Sequence, residues 1–186
     1  MTLREMQDSN VTGSEPAPAF VKPGGIQFFA MAFVLAIGSA LAAEPTFTTK
    51  SLTPETALRA AQAALAKCRA DGFQVSIAVV DRAGLTQVLL RDRFAGPHTV
   101  EAATNKAWSA VSFRTNTTEI EKASRPGQSM AGIRHFPRMT AVGGGMMIQG
   151  GGSLLGAIGV SGAPGGDNDD TCAAAGIKAI ADDLEF

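Results

Sequence analysis

The chain's two histidines, His98 in Gly96-Pro97-His98-Thr99 and His135 in Arg134-His135-Phe136-Pro137, are its only imidazoles, and it has no tyrosine. Imidazole and thioether are donors that transition metals accept, so His98, His135 and the adjacent Met146-Met147 are the candidate ligating groups. Each has a simpler competing explanation. His98 can be a solvated helix-start residue, His135 a surface-loop ring, and one of two adjacent strand methionines normally faces the core. Lys106, Arg91 and Arg93 are the cations that can answer an anionic ligand, although such residues are more often plain solvated charges. Enzyme chemistry finds little support. C-x-x-C, H-E-x-x-H and S-x-x-K are all absent, and two histidines in separate loops make a poor triad. Asp81 beside Arg82 can act as acid or base, yet an aspartate heading a turn is explained by the turn itself.

These residues must be held by a small number of elements. Thr53-Pro54-Glu55 predicts a helix start, with a capping hydroxyl, a proline at the first helical position and an acid facing the positive dipole end. Ala57, Ala61, Ala64, Leu65 and Cys68 continue at helical spacing until Asp71-Gly72. Residues 74–80 and 85–91 are extended runs separated by Asp81-Arg82-Ala83-Gly84, the composition of a type I turn, which predicts a hairpin. A second helix is expected over 99–113, with an inner stripe of Val100, Ala103, Ala107, Ala110 and Val111. Asn116-Thr117-Thr118-Glu119 has the capping-box pattern for a short third helix near 120–123. Residues 128–138 read as a loop with one helical turn.

More than half of the 21 glycines lie between Thr140 and Asp170. No G-x-G-x-x-G survives inspection, no Gly-Lys pair exists for a phosphate loop, and Gly159-Val160-Ser161-Gly162-Ala163 misses the nucleophile elbow at its last position. What remains is two apolar runs, 146–148 and 154–160, separated by glycine clusters, which predicts strands and turns. Gly156 and Gly159 leave the second strand nearly bare, as where another backbone or a flat ligand approaches. Asp167, Asn168, Asp169 and Asp170 then offer caps for a last helix over 171–184.

Residues 28–37 form an apolar run of ten ahead of Ala40-Leu41-Ala42, the pattern of an export signal with its cleavage site. Residues 1–42 are therefore expected to be a signal-peptide region, with translation starting near Val21, because the first twenty residues are acidic where a leader should be positive. Residues 43–50 are then a linker and 51–186 a single domain, periplasmic or secreted, that meets the membrane only through its leader. The net charge of −1 over 186 residues, with no Lys/Arg cluster, disfavours nucleic acid as a partner. Cys68 and Cys172 can pair in an oxidising compartment or can be two small buried hydrophobes.

Three stretches carry a resemblance. Val79-Val80-Asp81-Arg82-Ala83-Gly84, Asn105-Lys106-Ala107-Trp108-Ser109-Ala110, and Leu155-Gly156-Ala157-Ile158-Gly159-Val160-Ser161-Gly162 followed by acids and Cys172-Ala173-Ala174-Ala175-Gly176 resemble the GlcG/HbpS family of haem-binding-like proteins, over nearly all of residues 50–182. The resemblance implies an α+β domain with a five-stranded antiparallel sheet flanked by helices, similar to PAS or profilin architecture, and a homo-oligomer. It also implies export and haem or a related tetrapyrrole as ligand. The chain departs from the family's usual Gly-Gly-x-Pro by having Gly143-Gly144-Gly145-Met146. On that reading His98, and more weakly His135, would meet iron, Lys106, Arg91 and Arg93 the propionates, and Gly156 and Gly159 the ligand's flat face. The alternatives are an accessory enzyme or redox factor for small organic acid or cofactor metabolism, and an interaction module for a sensor protein.

Overall fold

Thr53 accepts a hydrogen bond from the Thr56 amide and opens α1, Pro54–Ala70. Glu55 lies in its first turn and Lys67 and Arg69 in its last, so both ends complement the helix dipole. The expected hairpin follows as β1, Ser76–Asp81, antiparallel to β2, Thr86–Arg91. Asp81 makes the turn: its carboxylate accepts from the Ala83 and Leu85 amides at 2.8 and 2.9 Å, and its carbonyl accepts from Gly84. After α2, His98–Phe113, and α3, Thr117–Ala123, a short 3-10 turn spans Ala131–His135. Then come β3, Gly145–Gly150, β4, Ser153–Ser161, α4, Gly166–Lys178, and a final 3-10 turn, Ala181–Leu184.

The computed structural model describes residues 44–185, so the expected signal region and its start near Val21 lie outside the described residues. No helix among the described residues is long and apolar enough to cross a membrane. The α+β class is as expected, but the sheet has four strands among these residues, ordered β2-β1-β4-β3, not five. The long connection between α3 and β3, 124–144, contains Pro126, Gly127, Gly132 and Pro137 and folds as turns. Proline removes ladder donors and glycine weakens extended structure there.

Strand β1 is buried on both faces. Ile77 and Val79 join Ile158 and Val160 of β4 beneath α1 and α4, while Val80 and Ala157 face Ala107, Ala110 and Val111 of α2. The helix layers are held by small residues. A methyl at Gly159 would lie within hard contact of the Ala103 carbonyl and 2.7 Å from the Ala107 nitrogen, so α2 packs on β4 through bare backbone. The expected close approach at Gly159 is thus made by the chain's own helix. Gly159→Ala is expected to destabilise the domain by about 3 kcal/mol through forced separation of α2 from the sheet. Urea denaturation measures it, and an unchanged midpoint would show that α2 can shift freely.

Two further expectations are corrected. The last helix begins at Gly166 and ends at Lys178 rather than spanning 171–184, because Asp167 and Asp169 occupy its first turn, not its cap. Asn116 makes no capping bond to α3. Its side-chain oxygen accepts instead from the Met147 amide at 3.0 Å, a β3 partner more than twenty residues away.

Candidate functional site

Gly143, Gly144 and Gly145, which lead into β3, lie where α2, α3 and α4 converge. Gly145 exchanges two bonds with the Thr117 hydroxyl, donating its N–H at 2.8 Å and accepting at its carbonyl at 3.3 Å. Gly144 donates to an Asp170 oxygen at 2.6 Å, and the other Asp170 oxygen accepts from Thr118. Gly144 has φ +113, and a methyl there would be 2.7 Å from the Asp169 Cβ and 2.9 Å from the Lys106 Nζ. No side chain other than hydrogen fits. Where the proline of the family pattern is missing, side-chain clamps from α3 and α4 hold the turn.

Beneath the clamp, Lys106 and Asp169 form an ion pair at 2.7 Å with both side chains 4% exposed. The Lys106 ammonium also donates to the Val160 carbonyl at 3.0 Å, and Asp169 accepts from the Ala163 amide at 3.1 Å. Burial pushes the Asp169 carboxyl above its ordinary value, against the opposing pull of Lys106. Beside this node Asn116, Thr118, Glu119, Met146 and Asp170 line a cleft of about 310 Å³. Its chemistry is hydrogen bonding, negative charge and one soft sulfur.

The residues singled out in the sequence do not meet at one point. Lys106 is inside, bonded to Asp169, so the expected reach toward a propionate is replaced by a structural pair. Gly156 is covered by β1, with the Val80 carbonyl over its α-carbon, and Gly159 by α2, so neither presents a bare face to a flat ligand. Arg91, Arg93 and His98 are exposed along the end of β2 and the start of α2, with Arg91 donating to the Ala95 carbonyl. His135 is exposed on the 3-10 turn, apart from that strip in the chain. Cys68 and Cys172 are joined as a disulfide between α1 and α4, with Cα atoms 5.5 Å apart.

The model of the family described as haem degrading protein HbpS-like matches residues 52–178. The chain belongs to the HbpS-like family. Solved HbpS is 37% identical with a TM-score of 0.69, over 76% of this chain and 98% of HbpS. A structure of a PduOC–haem complex is 29% identical with a TM-score of 0.67, over 70% of this chain and 95% of PduOC. Among curated relatives, an uncharacterised 15.0 kDa protein of Citrobacter freundii is 34% identical over 60% of this chain and 80% of its own length. The corrinoid adenosyltransferase PduO of Citrobacter freundii is 32% identical, but this chain spans only 41% of it.

In this HbpS-like chain the residues that the sequence reading missed are Thr117, Thr118 and the acids Asp169 and Asp170. A signal for the pair was present. Lys106 stands between Ala103, Ala107 and Ala110 on the inner stripe of α2, and a lysine at an inward position implies a buried anion. For the clamp no local signal existed, since its partners lie 26 and 28 residues apart. No group of three or more His, Cys, Asp and Glu poised to hold a metal occurs among the described residues.

Haem asks for an axial donor, cations beside its propionates and an apolar surface against its ring. The strip from β2 to α2 has each kind: His98, then Arg91 and Arg93, then Phe94, which is 78% exposed. The residues present therefore fit the group in kind. Gly96 lies under the imidazole, 2.7 Å from the nearest His98 ring atom to where its methyl would be, which limits where the ring can turn.

Proposed function

We propose that this protein binds haem or a closely related tetrapyrrole, acting as an exported homo-oligomer with its ligand on the β2–α2 strip. The likeness to PduOC in its haem complex, over nearly all of that chain, carries the reading. Bound haem would supply an iron centre. His98 would hold that iron, Arg91 and Arg93 would pair with the propionates, and Phe94 would shield one ring face from water. Export is supported by the Cys68–Cys172 disulfide, a bond that persists in oxidising compartments. Leu85 and Leu89, exposed at the sheet-edge strand and the turn before it, favour a second copy covering that side.

Titration of the domain from residue 43 onward with haem, followed by absorbance, tests the proposal. A saturable Soret shift is expected, lost in His98→Ala and kept in His135→Ala and Met146→Leu. Affinity should fall about tenfold or more when the iron donor is removed. A shift no larger than that given by an unrelated protein would end the haem reading. Loss of the shift in His135→Ala alone would move the site to the 3-10 turn. The family description adds a second reading, haem degradation. Decay of the bound spectrum with release of free iron would favour it, and a stable spectrum would favour a carrier.

A further inference from the structure

At the other end of α2 from His98, four separated segments line an open cleft of about 500 Å³. They are the strip 47–50, the β1–β2 turn, the α2 C-terminus and the β3–β4 turn. Each of the first three contributes one cation: Lys50, Arg82 and Arg114. Thr48, Thr49 and Ser153 add hydroxyls, and none of the described lining residues is acidic. The Arg82 and Arg114 guanidiniums thus line one cleft whose described residues offer them no carboxylate, a setting that attracts an anion.

The two arginines are placed with care. Arg82 donates to the Leu154 carbonyl at 2.9 Å, which fixes its guanidinium at the cleft rim. Arg114 caps α2 in a left-handed conformation, φ 50 and ψ 44, where glycine is the usual residue. A side chain there strains the backbone. Charge near a helix C-terminus does not explain the choice, because a basic residue in the last turn does the same without strain, and α2 has none. Neither Arg82 nor Arg114 has a carboxylate partner among the described residues.

We propose that this cleft is a binding site for a small organic anion bearing two or more carboxylate or phosphate groups. The planar guanidinium fork matches either oxyanion with paired hydrogen bonds. The volume suits a small metabolite, within the ordinary range of ligand cavities. Phe47 and Leu154 are the large apolar residues of the lining, too few to face an extended aromatic ring. This site is therefore separate from the haem reading and stands or falls without it.

Isothermal titration of the haem-free domain at low ionic strength tests it, with citrate, succinate and pyrophosphate as probes and butyrate as the single-charge control. Saturable binding of at least one probe is expected, at a Kd of about 1 mM or tighter, with butyrate at least tenfold weaker at roughly 10 mM or beyond. Citrate or succinate as the better probe assigns a carboxylate ligand, and pyrophosphate a phosphate. Arg114→Gly should weaken binding by about tenfold while its melting temperature stays level or rises, since strain is released. Arg82→Gln should also weaken it. No saturable binding by any of the three probes, or full binding retained in Arg114→Gly, would overturn the proposal.

Discussion

Exchanging Cys68 or Cys172 for alanine is expected to lower the free energy of unfolding by about 4 kcal/mol and the melting temperature by roughly 15 °C. The bond closes a loop with a sequence separation of 104, so in the unfolded chain it removes much of the freedom of the whole domain. It also joins α1 to α4 across the layer that covers one face of the sheet. Both sulfurs are fully buried, so the alanine variants add a small cavity to the lost cross-link. Guanidinium denaturation with and without a phosphine reductant separates the two effects. Superimposable curves would mean that the cysteines act as packed hydrophobes and that the bond contributes nothing.

Lys106→Met should cost about 3–5 kcal/mol at neutral pH, because it leaves the Asp169 carboxylate buried without its cation. The loss should shrink in acid. Burial already raises the Asp169 carboxyl, and removing Lys106 raises it further. A folded-state value above the unfolded one means that the native protein holds a proton the unfolded chain gives up. Stability from that group is then complete below about pH 4, the unfolded value, and is lost as pH rises through the folded value. Denaturation midpoints at pH 7 and pH 4 measure this. Equal losses at both pH values would show that water reaches Asp169 once the lysine is gone. Adding Asp169→Leu should restore much of the stability, since no charge then remains inside.

Local chemistry was legible in the sequence, and long-range partners were not. Thr53-Pro54-Glu55 and the Asp81-to-Gly84 turn form their structures from neighbours alone, and both appear as their residues suggest. Asn116 has the same kind of local signature, but the β3 backbone competes for its side chain and wins. Asp169 and Asp170 look like helix caps until Lys106 and Gly144 take them from distant parts of the chain. Gly159 announced a close approach without saying which backbone would make it. The fifth strand came from the family resemblance alone, since the residues themselves offered four extended runs, the number the sheet has among the described residues. Of the candidate site, the exposed strip of Arg91, Arg93 and His98 could be proposed from the sequence, whereas the inward turn of Lys106 depends on the packing of α2.

The strand order β2-β1-β4-β3 also divides the work of folding in time. The β1–β2 and β3–β4 pairs are local hairpins, the second closed by the tight turn at Gly151-Gly152, and each can form on the microsecond scale. The central seam joins Ser76 to Ser161, with α2 and α3 in the intervening chain. That contact must wait for a long loop to close, so it sets the contact order of the domain and its slowest barrier-crossing step. A chain with both hairpins formed but the seam open would expose the inner edges of β1 and β4, the stage at which it is most open to aggregation.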